Sequence, residues 1–149
     1  MDDKFFIVSF LKKLFIQDND EKWTRKIEEF SKKVKFDNSE KIKNNLTLNQ
    51  LNYEGDIFYL LFNQETFIGF TQIRFNNDEI WIDITKINNN FRGQGFGTIL
   101  SDIVINIGKQ NKQFKKIISQ PDGIENGKQF RLKQGFENKG ELMVLNINQ

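Results

Sequence analysis

The chain has 149 residues, enough for one ordinary domain, and we expect residues 1–149 to form a single one. With 38% hydrophobic and 28% charged residues, the composition excludes a disordered tail and a membrane span. The net charge is +2 with both signs interleaved, so neither a nucleic acid nor a membrane is expected as a partner. The chain has no Cys and no His, which excludes thiol and Ser/His nucleophiles, disulfides and the usual zinc sites; no metal is expected.

The N-terminal third predicts a strand followed by two helices. Residues 4–11 form an apolar run typical of a buried strand. The run follows an acidic start and lacks a cleavage site, so we do not interpret it as a signal peptide and expect a cytoplasmic location. Residues 20–35 predict a charged helix, and 38–52 predict a weaker one. The apolar sides of these helices carry Trp23, Ile27, Phe30 and Val34, and Ile42, Leu46 and Leu51.

The middle of the chain predicts three strands, 57–62, 66–75 and 79–87, joined by short polar turns. Short connections make this an antiparallel meander. Alternation along the third strand directs one set of side chains to a common face. That set is Glu79, Trp81, Asp83, Thr85 and Ile87. Acidic groups therefore share a face with an aromatic ring.

The last third predicts alternating helices and strands. Apolar residues at helical spacing predict a helix over 97–110. A short buried strand at 116–119 follows, then a helix over 125–134 that ends at Gly135. A final strand is expected over 141–147.

A glycine-rich segment, Phe91-Arg92-Gly93-Gln94-Gly95-Phe96-Gly97, lies between the meander and the helix over 97–110. Such a turn before a helix directs several backbone N–H groups one way and favours an anion. A Walker A loop is excluded because the residue immediately before Thr98 is Gly97, where that motif requires a Lys. A dinucleotide fingerprint fits poorly, because the glycine spacing differs and the preceding strands are antiparallel.

The loop resembles the acyl-CoA loop of the GNAT superfamily, Gln/Arg-x-x-Gly-x-Gly/Ala, which Arg92, Gly95 and Gly97 match. Ile87 and Phe91 also fit the pattern upstream, and Gly135-Phe136 resembles its ending of the last helix. The resemblance implies an α+β fold in the order β-α-α-β-β-β-α-β-α-β. Its sheet is mostly antiparallel, flanked by helices, and splayed between the fourth and fifth strands.

The resemblance also implies acetyl-CoA as co-substrate and an amine as acceptor. Backbone amides of the loop would bind the pyrophosphate of the cofactor. These belong to Arg92, Gly93, Gln94, Gly95, Phe96, Gly97 and Thr98. The preceding strand end would bind the pantetheine arm like an added strand, through Thr85, Lys86 and Ile87.

The implied reaction is direct attack of a neutral amine on the thioester, without a covalent enzyme intermediate. Glu79 and Asp83 are the candidates for the base, and each is equally well explained as a solvated strand carboxylate. Arg131 stands where the family often has a Tyr that protonates the thiolate; it would stabilise the thiolate or be a surface residue. Ile124 stands where a cofactor-binding Asn is common.

Three functions remain open on this sequence. The first is an N-acetyltransferase acting on a primary amine of a small molecule, a peptide or a protein. The alternative is an acyl-CoA-binding sensor or scaffold without transfer, favoured by the departures at Ile124 and Arg131. The third is an interaction module that retains only the fold. A homodimer is compatible with each.

Overall fold

The computed structural model describes residues 2–17, 20–121 and 125–149. The chain is an α+β protein with an eight-stranded, mostly antiparallel sheet flanked by helices, which confirms the predicted fold class. Its helices are α1 (Asp3–Ile16), α2 (Asp20–Ser31), α3 (Phe96–Gln110) and α4 (Glu125–Lys133). Its strands are β1 (Asn38–Lys43), β2 (Leu46–Tyr53), β3 (Asp56–Asn63), β4 (Thr66–Asn76), β5 (Glu79–Ile87), β6 (Lys116–Ser119), β7 (Glu137–Lys139) and β8 (Leu142–Asn146).

The strand order is β1-β2-β3-β4-β5-β6-β8-β7. β5 and β6 pair in parallel, whereas β6 pairs antiparallel with β8, and β7 with β8. At the other end, β1–β2 and β2–β3 are antiparallel hairpins. A parallel pair needs a crossover, which α3 supplies between β5 and β6.

The chain divides into two compact units. The first comprises residues 1–72 and 84–100, and its core is formed by α1, α2 and the strands they pack against. Aromatic side chains dominate it, with Phe10 stacked on Trp23 and Phe62 edge-on to Phe67. The second unit comprises residues 73–83 and 101–149. Its core side chains include Ile80, Val104, Phe114, Ile117, Phe136, Met143 and Ile147. The single-domain interpretation stays a prediction.

The strand predicted over residues 4–11 is wrong, because these residues lie in α1. A continuous apolar run does not by itself distinguish a buried strand from a buried helix. The side chain of Asp2 accepts a hydrogen bond from Lys4 N (3.0 Å) and caps the helix. The buried side chains recur at helical spacing, at Ile7, Val8, Phe10, Leu11 and Leu14.

The helix predicted over residues 38–52 is also wrong, because the segment forms the hairpin β1–β2. Asn44 adopts φ 48° in the turn, a conformation that Asn tolerates better than most residues. Leu46 and Leu48 are both buried, which is the two-residue period of a strand. As a result both N-terminal helices precede every described strand, instead of following a first one.

The remaining elements agree with the sequence. The predicted meander is β3, β4 and β5, and the predicted helices over 97–110 and 125–134 are α3 and α4. Gly135 follows α4 with φ 95°, the left-handed conformation that ends helices. The last predicted strand corresponds to β8, which pairs with the additional short strand β7. Among the described residues, no helix combines the length and apolar character needed to cross a membrane.

Candidate functional site

The glycine loop leaves β5 through a short 3-10 helix, Asn89–Phe91, and enters α3 at Phe96. Gly93 and Gly95 adopt φ 77° and 88°, which favours glycine strongly over residues with a Cβ. A Cβ added at either glycine would meet no heavy atom within 4 Å. The loop therefore needs glycine for its backbone path, and it leaves open space beside that path.

The start of α3 presents backbone donors beside this open space. The first helical hydrogen bond runs from Ile99 N to Gly95 O (3.2 Å). The N–H groups of Phe96, Gly97 and Thr98 precede that bond, and the intrahelical ladder does not use them. The helix dipole places partial positive charge at the same end. This is the backbone arrangement that binds phosphate groups in proteins.

Side chains of the loop brace it against itself. Arg92 Nε donates to Ile87 O (3.0 Å), and Gln94 Nε2 donates to Asn90 O (3.2 Å). The rings of Phe91 and Phe96 meet edge to face with centroids 6.0 Å apart. In this geometry the side chains of Arg92 and Gln94 shape the loop, while its backbone amides supply the donors.

Asn88 anchors the start of the loop, a role that no sequence pattern indicates. Its backbone N donates to Ile68 O (2.9 Å), and its Nδ2 donates to Phe67 O (3.1 Å). Its carbonyl accepts from Phe91 N (2.9 Å), and the side chain is buried. An Asn in a polar turn is too common to be singled out without these contacts.

The pairing of β5 with β6 covers only the first part of β5. In the described residues it begins at Glu79 with Lys116 and ends at Ile82 with Ser119. The rest of β5 continues to Ile87 beyond the last pair. The predicted splay between the fourth and fifth strands of the family order corresponds to this end of the ladder.

The three residues predicted to bind pantetheine differ in the direction of their backbone carbonyl groups. Ile84 O accepts from Thr71 Oγ1 (2.8 Å), and Lys86 O lies only 2.5 Å from where a Cβ on Gly69 would sit. Both carbonyls therefore face β4. Because carbonyls alternate sides along a strand, those of Thr85 and Ile87 face away from β4. Backbone binding of an added chain would use Thr85 and Ile87, and not Lys86.

The two candidate bases lie in a connected group of side chains on one face of β5. Glu79 Oε1 accepts from Trp81 Nε1 (3.1 Å), and the guanidinium of Arg74 lies 4.6 Å from the centroid of the Trp81 ring. Arg74 Nε also pairs with Asp83 Oδ2 (3.0 Å). These contacts confirm that the acidic groups share a face with the aromatic ring.

The positions of the two carboxylates along β5 differ. Glu79 begins the ladder with β6, whereas Asp83 is the first residue past its last pair. A strand rises about 3.3 Å per residue, so the two residues lie about 13 Å apart along β5. Only Asp83 adjoins the part of β5 that lies beyond its last pair with a described residue of β6, and 30% of its side chain is exposed.

Arg131 is buried, with 5% of its surface exposed, so it is not a surface helix residue. Its Nε donates to Ser119 Oγ (2.9 Å), and its Nη1 donates to Ser101 Oγ (2.6 Å) and to Gln134 Oε1 (2.9 Å). The guanidinium also lies near the rings of Phe130 and Phe136. Burial lowers the pKa of Arg131 to about 10, so it remains a cation at neutral pH.

Two further predictions from the sequence concern Ile124 and the absence of a metal site. Ile124, which stands at the position of a common cofactor-binding Asn, lies outside the described residues. Within the ranges that the structure describes, no group of three or more acidic side chains is placed to hold a metal ion.

In the comparison with protein families, residues 16–130 match the model described as "Acetyltransferase (GNAT) family". The match covers most of the chain and includes the glycine loop. The chain belongs to the acetyltransferase (GNAT) family. A search of curated proteins finds no match for this family member.

Solved structures of GNAT acetyltransferases share the fold. The ribosomal-protein-S18-alanine N-acetyltransferase from Escherichia coli matches with a TM-score of 0.59 and 13% identity, over 66% of this chain and 73% of that chain. Arabidopsis thaliana NAA60 in complex with a bisubstrate analogue matches with a TM-score of 0.58 and 12% identity, over 66% and 79%. The PaiA N-acetyltransferase from Thermoplasma acidophilum in complex with coenzyme A matches with a TM-score of 0.53 and 17% identity, over 64% and 62%.

Proposed function

We propose that this GNAT protein transfers an acetyl group from acetyl-CoA to a primary amine. The observation that carries the proposal is the loop before α3. Two left-handed glycines leave open space there beside the first N–H groups of a helix. Residues with these properties fit a pyrophosphate, because it requires donors and close approach to the backbone.

The residues of the site divide the work of binding. Backbone amides from Gly93 to Thr98 would hold the pyrophosphate, because the Arg92 N–H already donates to Asn89 O (3.4 Å). The backbone of Thr85 and Ile87 would bind the pantetheine arm. When bound, acetyl-CoA supplies an activated acyl group as a thioester. The protein then has to place a neutral amine beside that group, because an ammonium has no free electron pair with which to attack.

Asp83 is the better candidate for the group that takes the proton from the amine. It adjoins the part of β5 beyond the last described pair with β6, whereas Glu79 lies about 13 Å back along the strand. Arg74 holds the Asp83 carboxylate in place through an ion pair of 3.0 Å. A positioned carboxylate contributes on the order of 100-fold to a proton transfer.

The test is release of free thiol from acetyl-CoA in the presence of a panel of primary amines. We expect amine-dependent thiol release by the wild-type protein, with the acetylated amine identified by mass spectrometry. Asp83→Asn is expected to lower kcat at least tenfold, with Glu79→Gln as the matched control that retains most activity. No release with any amine, despite CoA binding, would contradict transfer.

The second candidate function is acyl-CoA binding without transfer. It is favoured by the environment of Arg131, whose guanidinium hydrogen-bonds to Ser101, Ser119 and Gln134 at the position where the family often has a Tyr. Under this hypothesis CoA stabilises the protein against heat, and no amine is acetylated. The same thiol assay, combined with thermal denaturation in CoA, separates the two functions.

A further inference from the structure

An aromatic cluster joins α1 to α2 within the first compact unit. Its members are Phe6 and Phe10 of α1 and Trp23 and Phe30 of α2. The ring centroids of Phe6 and Phe30 lie 5.4 Å apart. The Phe10 ring lies 5.9 Å from Trp23 and 5.3 Å from Phe30. The two helices therefore meet along a line of rings.

Four lysine ammonium groups lie over these rings, at 4.6 to 5.7 Å from the ring centroids. They belong to Lys13 of α1 and to Lys22, Lys26 and Lys33 of α2. The three in α2 recur at i, i+4 and i+11, which places them on one side of that helix. The opposite sides of the helices face the core, where Ile7 and Ile27 are fully buried. The lysines therefore cover the aromatic cluster from the solvent side.

The solvent side of α1 also carries apolar side chains. Phe5 is 46% exposed and Ile16 is 76% exposed. Helical spacing places them in one row with Ser9 and Lys12. The Phe5 ring meets the Phe6 ring edge to face, with centroids 5.6 Å apart, so this row borders the aromatic cluster. α1 is therefore apolar on its exposed side as well as on its buried side, which is uncommon for a surface helix.

We call this surface the outer face, and it consists of the four lysines over the rings together with Phe5, Lys12 and Ile16. Among the described residues, no carboxylate forms an ion pair with any lysine of the outer face. Arg25 and Glu29 lie beside it on α2 and offset each other in charge. The outer face thus combines concentrated positive charge with exposed apolar groups.

We propose that the outer face binds the surface of an anionic lipid bilayer, with α1 and α2 lying along the membrane plane. The ammonium groups would contact anionic head groups, and Phe5 and Ile16 would enter the boundary with the acyl chains. The net charge of the whole chain, from which no membrane partner is expected, averages these lysines with acidic residues elsewhere. The proposal concerns a surface of the chain and does not depend on acetyl transfer.

A nucleic acid would use the lysines but not the rest of the outer face. Proteins that bind single strands stack bases on accessible aromatic rings. Here Trp23 is 7% exposed and Phe10 is 8% exposed, and lysines lie over both rings. Contacts to phosphate alone also give no role to the exposed Phe5 and Ile16. A bilayer surface uses both the charge and the apolar groups, and we therefore commit to it.

A purely structural role for the lysines makes a different prediction. An ammonium group over an aromatic ring stabilises the fold by a small amount. Loss of the lysines would then lower thermal stability without any effect on membrane binding. Vesicle binding and thermal denaturation, measured on the same variants, separate the two roles.

The first experiment is flotation of the full chain with vesicles of phosphatidylcholine alone and of phosphatidylcholine mixed equally with phosphatidylglycerol. We expect binding to the anionic vesicles only, and we expect it to weaken as salt is added. The combined variant Lys22→Gln, Lys26→Gln and Lys33→Gln should lower the partition coefficient at least about tenfold, because each lysine near an anionic surface contributes about fivefold. The control variant replaces three exposed lysines of the second compact unit and should bind like the wild type. Its changes are Lys109→Gln, Lys112→Gln and Lys116→Gln.

The second experiment tests the apolar part of the outer face. Ile16→Gln should lower binding to the anionic vesicles about three- to tenfold, because an aliphatic side chain no longer leaves water on binding. Leu132→Gln is the matched control, because Leu132 is an aliphatic residue of the second compact unit with 51% exposure. It should leave vesicle binding unchanged.

Four results would overturn the proposal. The first is a folded wild type that does not bind the anionic vesicles, and the second is vesicle binding that the lysine variant retains in full. The third is binding of a single-stranded RNA without vesicle binding, which would assign the outer face to nucleic acid. The fourth is a dimer that Ile16→Gln dissociates, again without vesicle binding, which would assign the face to a second copy of the chain.

Discussion

The glycine loop and the surroundings of Arg131 are built in opposite ways. In the loop, backbone groups are the proposed binding groups, and the side chains of Arg92 and Gln94 hydrogen-bond to carbonyls and hold the backbone path. Around Arg131 the contacts are made by the side chain. Its guanidinium in α4 hydrogen-bonds to Ser101 in α3 and to Ser119 in β6. A backbone site tolerates variation of side chains if the backbone path survives, whereas a side-chain network depends on each member.

This contrast explains why the two regions differ in what they reveal about function. The loop carries the proposal that the acyl donor is acetyl-CoA. The N–H groups at the start of the helix and the open space beside the glycines suit a phosphate group. The hydrogen bonds of Arg131 hold neighbouring elements together. Arg131 is a buried cation at the position where the resemblance leads us to expect a Tyr. Its role in catalysis stays a prediction, and the expected effects below separate the two regions.

The largest expected effect is on stability, from Arg131→Met. The substitution keeps an unbranched side chain and removes the donors to Ser101, Ser119 and Gln134. Because Ser101 and Ser119 are buried, we expect the free energy of unfolding to fall by about 2–4 kcal/mol. The measurement is urea denaturation. Arg25→Met, which removes an exposed ion pair with Glu21, is the control and should change stability by less than about 0.5 kcal/mol.

The next effect is on CoA affinity, from Gly95→Val. A branched residue at φ 88° is strained and would fill the open space beside the loop. We expect the Kd of CoA to rise at least about tenfold, measured by calorimetry. Gly55→Val is the matched control, because Gly55 has φ 85° and equally open surroundings in the β2–β3 turn. A similar loss of CoA affinity in both variants would show that strain, and not the site, causes it.

The smallest effect concerns Asp37, which lies far along the chain from both regions. The backbone N–H of Asn52 (2.6 Å) and the Lys4 ammonium (3.0 Å) lower the pKa of its carboxyl group. A lowered pKa means that the carboxylate stabilises the fold above its unfolded pKa, and that this contribution is lost as pH falls through the folded value. We expect Asp37→Asn to reduce stability by less than about 1 kcal/mol at neutral pH.

The pH dependence provides the check on Asp37. The difference in unfolding free energy between wild type and Asp37→Asn should shrink as pH falls below 3.8, the ordinary pKa of an aspartate carboxyl group. Denaturation at neutral and acidic pH measures it. If the difference does not change with pH, the Asp37→Asn variant loses stability for a reason other than the missing charge.

Elements with one clear period could be predicted from the sequence. The alternation in β5 and the helical spacing in α3 each allow one interpretation, and the structure has both elements. The apolar run of α1 fits either a strand or a helix, and the cap at Asp2 and the helical spacing of its buried residues favour the helix. In the β1–β2 hairpin, Leu46 and Leu48 follow the two-residue period of a strand. The spacing of Ile42, Leu46 and Leu51 also fits a helix, so the sequence pattern is ambiguous there.

The candidate site shows the same division. Glycine spacing predicted the loop, because left-handed residues have a compositional requirement that can be read directly. The role of Asn88, the pair Thr71–Thr85 and the burial of Arg131 depend on residues distant along the chain. A local sequence pattern does not predict such contacts, because an Asn, a Thr or an Arg is common in the kind of element where each of these residues lies.

The most direct test of the central claim is a titration of the ¹⁵N-labelled protein with CoA, followed by amide NMR. The proposal that the loop backbone binds the pyrophosphate predicts saturable shifts, with the largest changes at the amides from Gly93 to Thr98 and at Thr85 and Ile87. Saturable binding with unperturbed loop amides, or the absence of binding, would contradict the claim.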